Sequence, residues 1–103
     1  MSQDELITAI KGLKNEFLED GFVIDGVFGS YARGAYTKKS DIDLLYHLEE
    51  PFFKKYSGFI GFKKLDEIKQ KLSNKLGKEI DLAPKDNLSN TARKYILSEV
   101  IYV

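Results

Sequence analysis

Two short groups of residues in this chain have the types and spacing that phosphate chemistry requires. Gly29-Ser30 ends an apolar run, and Asp41-Ile42-Asp43 follows after ten residues. A strand that turns into a helix at Gly-Ser presents backbone amides and a hydroxyl, which suit a phosphate group. Gly29 also lets the backbone approach a ligand closely, because it has no side chain. The first group therefore predicts a phosphate-binding turn.

The second group predicts a metal site. Side chains alternate along a strand, so the carboxylates of Asp41 and Asp43 share one face, with Cα atoms about 6–7 Å apart. Carboxylate oxygens suit Mg²⁺ or Mn²⁺. Two such ions about 3.5–4 Å apart stabilise the attacking and leaving oxygens of a phosphoryl-type transfer. A phosphate-binding turn beside this pair indicates transfer from a nucleoside triphosphate.

Asp81 is the predicted third carboxylate. It lies between Ile80 and Leu82 in a strand-like segment, and it completes a triad if that strand lies beside the Asp41–Asp43 strand. There it would bind metal and help to take the proton of an acceptor hydroxyl. Glu79, on the same face, is the alternative. Three carboxylates facing one point repel each other, so we expect at least one raised pKa when no metal is bound.

Helices and short strands must position these groups. Ser2 and Glu5 have the capping-box spacing, and the apolar positions that follow recur at helical intervals. The predicted elements are helices over 3–19, 62–76 and 88–97, a helical turn or two within 30–36, strands over 22–28, 41–48 and 78–83, and a strand or helix end over 100–103. Segment 52–61 has no defined prediction. This order predicts an α+β fold, a small mixed sheet with helices packed against it.

Composition excludes several classes of protein. The 103 residues contain 16 basic and 16 acidic side chains and no cysteine, which excludes disulfide scaffolds and thiolate metal sites. Zero formal net charge argues against a protein that grips DNA or RNA. The length predicts one domain over 1–103. An acidic first segment and short apolar runs predict a cytoplasmic protein without a membrane segment.

The motif resembles a known superfamily. Gly29-Ser30, ten residues and Asp41-x-Asp43 form the signature of the polymerase-β-type nucleotidyltransferases. The longer form Gly-Ser-Tyr-Ala-Arg-Gly followed by Ser-Asp-Ile-Asp-Leu resembles the minimal nucleotidyltransferases, small catalytic domains often encoded beside HEPN-domain partners as antitoxins. The resemblance extends to the leading helix, the Asp81 strand and the closing segment 96–102.

The resemblance implies a function and a set of site residues. Gly29 and Ser30 match the triphosphate-binding pair, and Asp41, Asp43 and Asp81 match the metal-binding catalytic aspartates. It implies a nucleotidyltransferase that uses ATP and Mg²⁺ (or Mn²⁺) to transfer AMP to a hydroxyl, such as a tyrosine of a HEPN-type toxin. Nucleotide preference, acceptor and oligomeric state remain open.

Two other functions stay open at this stage. The chain would serve as a binding antitoxin that neutralises its partner by contact alone, although an intact motif argues against this. Alternatively it transfers a nucleotide to a small-molecule hydroxyl, with a partner subunit supplying the acceptor site. Template-dependent polymerisation is the least favoured reading, because a neutral chain of this size has little room to grip a duplex.

Several residues have two interpretations each. Arg33 is a candidate phosphate ligand or part of a structural ion pair within its own loop. For the others the structural reading is favoured: a solvated turn for Lys38 and Lys39, packing for Tyr31 and Tyr36, and a structural or surface role for His47. The aromatic residues of segment 52–62 fit a core or an exposed partner-binding patch equally well.

Overall fold

The computed structural model describes residues 1–103 and contains six helices, four strands and one 3₁₀ turn. The helices are α1 (Gln3–Leu13), α2 (Asn15–Leu18), α3 (Gly29–Arg33), α4 (Glu50–Lys55), α5 (Phe59–Leu76) and α6 (Asn90–Glu99). The strands are β1 (Phe22–Phe28), β2 (Ile42–Leu48), β3 (Ile80–Pro84) and β4 (Ile101–Tyr102), and the 3₁₀ turn is Lys85–Asn87. None of the helices combines the length and apolar character needed to cross a bilayer.

The four strands form one mixed sheet in the order β3-β2-β1-β4. β1 pairs antiparallel with β2 and with β4, whereas β2 and β3 are parallel. Parallel neighbours need a crossover connection, and α4 and α5 supply it between β2 and β3. The predicted adjacency of the Asp81 strand and the Asp41–Asp43 strand is confirmed.

One face of the sheet carries the core. Ile42, Leu44 and Tyr46 of β2 are buried in one cluster with residues of α1 and α5. The cluster of 15 buried residues consists of Leu6, Ile10, Phe17, Phe22, Ile24, Val27, Tyr31, Ile42, Leu44, Tyr46, Phe52, Ile68, Leu72, Leu76 and Ile80. Because strand side chains alternate, the odd-numbered residues of β2 point to the opposite face. Asp43 is therefore directed away from the main core.

The first helix begins as predicted and ends earlier. The hydroxyl of Ser2 accepts from the backbone of Glu5, whose carboxylate accepts from the backbone of Ser2, which completes the capping box. The prediction of one helix over 3–19 is wrong, because α1 ends at Leu13 and the four-residue α2 follows. The exposed Gly12 weakens the last turn of α1, since glycine is a poor helix former.

Segment 52–61, which has no defined prediction from sequence, is mostly helical. α4 has Pro51 in its first turn, where the missing amide of proline loses no helical hydrogen bond. α5 begins at Phe59, slightly before the predicted start, and its last residue is Leu76. The next residue, Gly77, caps the helix in the left-handed conformation with φ 69°. The predicted stop at Gly77 is confirmed. The strand interpretation of the closing segment is confirmed by β4, which covers Ile101–Tyr102.

Candidate active site

The turn from β1 into α3 places Gly29 directly against Asp43. Phe28, the last residue of β1, pairs with Asp43 of β2. Gly29 has φ +73°, a conformation that favours glycine, and a Cβ atom at this position would overlap the Asp43 carboxylate. The predicted phosphate-binding turn and the predicted metal-binding strand are thus in contact.

Asp43 and Asp81 lie side by side in the parallel ladder. Burial raises the pKa of Asp43 to about 6, helped by the charge of Asp81, a hydrogen bond shared with Asp81 and the charge of Asp41, while Arg33 opposes the rise. The predicted raised pKa among these carboxylates is confirmed for Asp43. Ionisation of both carboxylates would place two negative charges side by side.

Asp41 lies just outside β2 and is exposed. Its charge reaches Asp43, since it contributes to the raised pKa of that group. However, no group of three carboxylates or other metal-binding side chains is close enough to form a ready-made metal cage. The structure therefore brings Asp43 and Asp81 together and leaves Asp41 at the open edge of the same site.

Arg33 forms an ion pair within the protein. Its Nη1 atom lies 3.0 Å from Oε2 of Glu99, at the end of α6, with the Arg33 side chain 55% exposed and that of Glu99 18% exposed. Glu99 Oε2 also accepts the backbone N–H of Gly29. The structural ion-pair interpretation of Arg33 is thus observed, with a partner outside its own loop. Glu99 lies in the closing segment 96–102, and no local pattern in the sequence indicates a role for it.

The tyrosines near the turn are packing residues. Tyr31 is 1% exposed, and its ring stacks on Tyr36 with 4.4 Å between centroids. Gln3 of α1 donates its side-chain amide to the carbonyl of Tyr31 and its backbone N–H to the hydroxyl of Tyr36. These contacts confirm the packing interpretation and fix the far side of the Gly29 turn.

The remaining polar candidates have structural surroundings. Lys38 and Lys39 form an exposed turn, and the carbonyl of Lys38 accepts from the Lys78 ammonium. His47 Nδ1 lies 2.8 Å from the Asp25 carboxylate, and Nε2 lies 3.4 Å from Glu49. Burial alone would lower the pKa of His47, but hydrogen bonds to Asp25 and Glu49 and their charges raise it.

The aromatic cluster of segment 52–62 is divided between core and surface. Phe52 is 3% exposed, whereas Phe53, Phe59 and Phe62 are 61%, 88% and 73% exposed. Phe53 and Phe62 help to line an apolar groove of about 330 Å³. The core interpretation is therefore confirmed for Phe52, and the other three phenylalanines are exposed, while partner binding by this surface stays a prediction.

Comparison with known proteins identifies the family to which this chain belongs. Residues 9–103 match the family model described as "Nucleotidyltransferase domain". This chain belongs to that family, so the predicted enzyme class, a nucleotidyltransferase, is confirmed.

Individual relatives cover the chain almost completely. It is 34% identical over 104 residues to the protein adenylyltransferase MntA of Thermococcus cleftensis, covering 100% of this chain and 97% of the relative. A solved structure described as "putative minimal nucleotidyltransferase" matches with TM-score 0.74 and 28% identity, covering 100% of this chain and 97% of that one. This match confirms the predicted fold. A toxin–antitoxin structure with AMP-PNP matches with TM-score 0.62 and 19% identity, covering 99% of this chain and 72% of that one.

Proposed function

We propose that this chain transfers AMP from ATP to a hydroxyl group of a partner protein and acts as an antitoxin. The observation that carries the proposal is the contact of the Gly29 turn with Asp43, which has Asp81 beside it in the ladder. A triphosphate seated on Gly29 and Ser30 would bring its phosphates next to two carboxylates. This is the arrangement that metal-assisted nucleotidyl transfer needs.

The carboxylates suit a divalent cation. Burial and the neighbouring acids raise the pKa of Asp43 more than the charge of Arg33 lowers it, and the available donors are the carboxylate oxygen atoms that Mg²⁺ prefers. Asp41, Asp43 and Asp81 would hold the ion together with phosphate oxygens. Mg²⁺ commonly binds in this way, through a few carboxylates and the substrate, so a ready-made cage is not required. When bound, it would stabilise negative charge on the reacting phosphate.

The protein's own groups have separate tasks. Ser30 and the backbone of its turn orient the triphosphate, while Asp81, which is more exposed than Asp43, faces the acceptor and takes the proton of its hydroxyl. The acceptor oxygen forms a bond to the α-phosphorus as the bond from that phosphorus to the bridging oxygen of the β-phosphate breaks. Pyrophosphate leaves, and AMP remains on the acceptor.

A protein acceptor is favoured by the comparisons and by the openness of the site. The Thermococcus relative is named a protein adenylyltransferase, and the coverage of both chains is nearly complete. Asp41 and Asp81 are exposed, so a hydroxyl on a second protein has direct access to them. The motif resemblance to HEPN-associated minimal nucleotidyltransferases makes a tyrosine of a HEPN-type toxin the proposed acceptor.

The test uses ATP labelled at the α-phosphate, Mg²⁺ and the product of the neighbouring gene. We expect label on a tyrosine of that partner with the wild-type chain and none with the Asp41→Asn/Asp43→Asn double variant. Asp66→Asn is the matched control, because Asp66 is an exposed acid on α5. No label with folded wild-type protein would contradict the proposal. Full neutralisation of the partner by the double variant would show that binding alone is sufficient.

A further inference from the structure

Glu99 joins the end of the chain to the nucleotide-binding turn. It is the last residue of α6, and its carboxylate accepts the N–H of Gly29 and also Arg33 Nη1, at 3.2 Å to Oε1 and 3.0 Å to Oε2. One carboxylate thus holds both ends of α3. No other side chain in the protein contacts the backbone of Gly29 in this way.

The position of Glu99 follows from the backbone of the sheet. Val27 pairs with Ile101 in the antiparallel ladder of β1 and β4, and continuing this register by two residues brings Gly29 opposite Glu99. The two strands approach closely at Gly26, where a Cβ atom would lie 2.5 Å from the carbonyl oxygen of Ile101. Glu99 ends α6 two residues before β4, so the pairing of β4 with β1 restrains the position of its carboxylate.

Gly29 needs such a fixed partner. Its backbone is left-handed and the Asp43 carboxylate occupies the side where a Cβ would lie, so a small movement of the turn changes the distance between the phosphate site and the metal site. Hydrogen bonds to an ionised acceptor are about twice as strong as neutral ones. The bond to Glu99 therefore opposes movement of Gly29 away from the end of α6.

We propose that Glu99 is a positioning residue that locks the Gly29–Ser30 turn and Arg33 in the geometry that binds the triphosphate of the nucleotide. This inference rests on the proposed function and adds to it a residue outside the motif. In the competing role, Glu99 is a stand-in for the phosphate: its carboxylate occupies the backbone N–H of Gly29, which the triphosphate would otherwise use. The two roles predict opposite effects on ATP affinity.

The experiment measures ATP binding with Mg²⁺ by calorimetry, and KM for ATP and for the protein acceptor, in Glu99→Leu, Glu99→Gln and wild-type protein. We expect Glu99→Leu to weaken ATP binding and raise the KM for ATP by about tenfold or more, as loss of a charged hydrogen bond implies. The KM for the acceptor should change by less than about twofold, because Glu99 acts only on the turn. Glu99→Gln keeps an acceptor for Gly29 and should show a smaller effect.

Controls separate positioning from general damage. Asp66→Asn changes an exposed acid on α5, outside the turn and α6, and should behave as wild type. Arg33→Met combined with Glu99→Leu should show less than the product of the single effects, because the two residues act as a pair. The amide resonance of Gly29 should move upfield in Glu99→Leu as its charged acceptor is lost.

The outcomes are distinguishable. Unchanged or tighter ATP binding by folded Glu99→Leu would overturn the positioning role, and tighter binding would identify the stand-in role. An equal rise in the KM for both substrates would assign Glu99 to general structure, which also overturns the inference. Failure of folded wild-type protein to bind ATP with Mg²⁺ would instead refute the proposed function.

Discussion

Acidic side chains cluster at both ends of β2, and the two clusters differ in the group whose pKa they raise. At the first end Asp43 faces Asp81 and Asp41, and its pKa is raised to about 6 by burial and by those charges. At the second end His47 lies between Asp25 and Glu49, and their hydrogen bonds and charges raise the pKa of the histidine. The second cluster contains a histidine that its acids hold by hydrogen bonds, whereas at the first end the effect of the acids on Asp43 is opposed only by the charge of Arg33. A candidate metal-binding cluster is therefore better indicated by acids that raise one another's pKa than by the number of its acids.

Removing the Asp43 carboxylate should have the largest effect on AMP transfer. We expect Asp43→Asn to reduce AMP transfer by about 10³-fold or more, a loss typical of removing a central electrostatic group. Without metal its melting temperature should equal or exceed that of wild type, because a repulsive buried charge is gone. A large fall in melting temperature would show that Asp43 is structural. Asp41→Asn should likewise lose activity without losing metal-free stability.

Adding a side chain at Gly29, against the Asp43 carboxylate, should have the next largest effect. Gly29→Ala places a methyl group on the Asp43 carboxylate and also strains a positive-φ residue, so transfer should fall by about 10²-fold or more and stability by more than 2 kcal/mol. Gly34→Ala is the matched control. Gly34 has the same φ of +73° but open space around its Cβ position, so only the strain of about 1–2 kcal/mol should remain. Equal activity of the two variants would contradict the importance of the contact with Asp43.

Mg²⁺ bound at Asp43 should stabilise the folded protein in a pH-dependent way. The folded-state pKa of Asp43 is raised above its ordinary value of 3.8, so without metal the folded protein loses stability as pH rises from about 4 through about 6. Mg²⁺ binds the ionised form and should raise the melting temperature more at pH 8 than at pH 5. Thermal melts with and without Mg²⁺ measure this difference, and Asp43→Asn should abolish most of it. A stabilisation equal at both pH values would contradict binding at this acid.

Removing His47 at the second end of β2 should have the smallest effect. His47→Gln should reduce stability by about 1 kcal/mol at pH 6, the typical contribution of one such hydrogen-bonded pair. Because the pKa of the folded-state histidine is raised, its stabilising effect is complete below about 6.5 and is lost as pH rises through the folded-state value. Denaturation at pH 6 and pH 9 should show that dependence, with AMP transfer unchanged at both. A loss of transfer would place His47 in the active site.

Sequence reasoning reached the site mainly because its signals are local. The turn at Gly29 and the alternation of Asp41 and Asp43 depend on neighbouring residues, and the limits of β1 were predicted to the residue. Asp81 required one further assumption, that its strand pairs with β2, and the ladder confirms it. The assignment of metal and catalytic roles to these residues stays a prediction.

What sequence reasoning missed depends on long-range contacts. Glu99 reaches the turn only because β4 pairs with β1, and a two-residue strand at the end of a helix gives no pattern of its own. The aromatic segment was ambiguous because helical spacing does not say which side meets a core. In each case the deciding partner is distant in sequence.

The parallel pairing of β2 with β3 also determines where this chain tolerates insertions. Asp43 and Asp81 meet through hydrogen-bonded register, and a shift of β3 by one residue would turn Ile80 or Leu82 toward the site and Asp81 toward the core. Added residues at the exposed Gly77 turn would leave that register intact, whereas one added residue within β3 would remove the second carboxylate. Natural length variation among relatives should therefore concentrate in the crossover and its turns and be absent from the two strands.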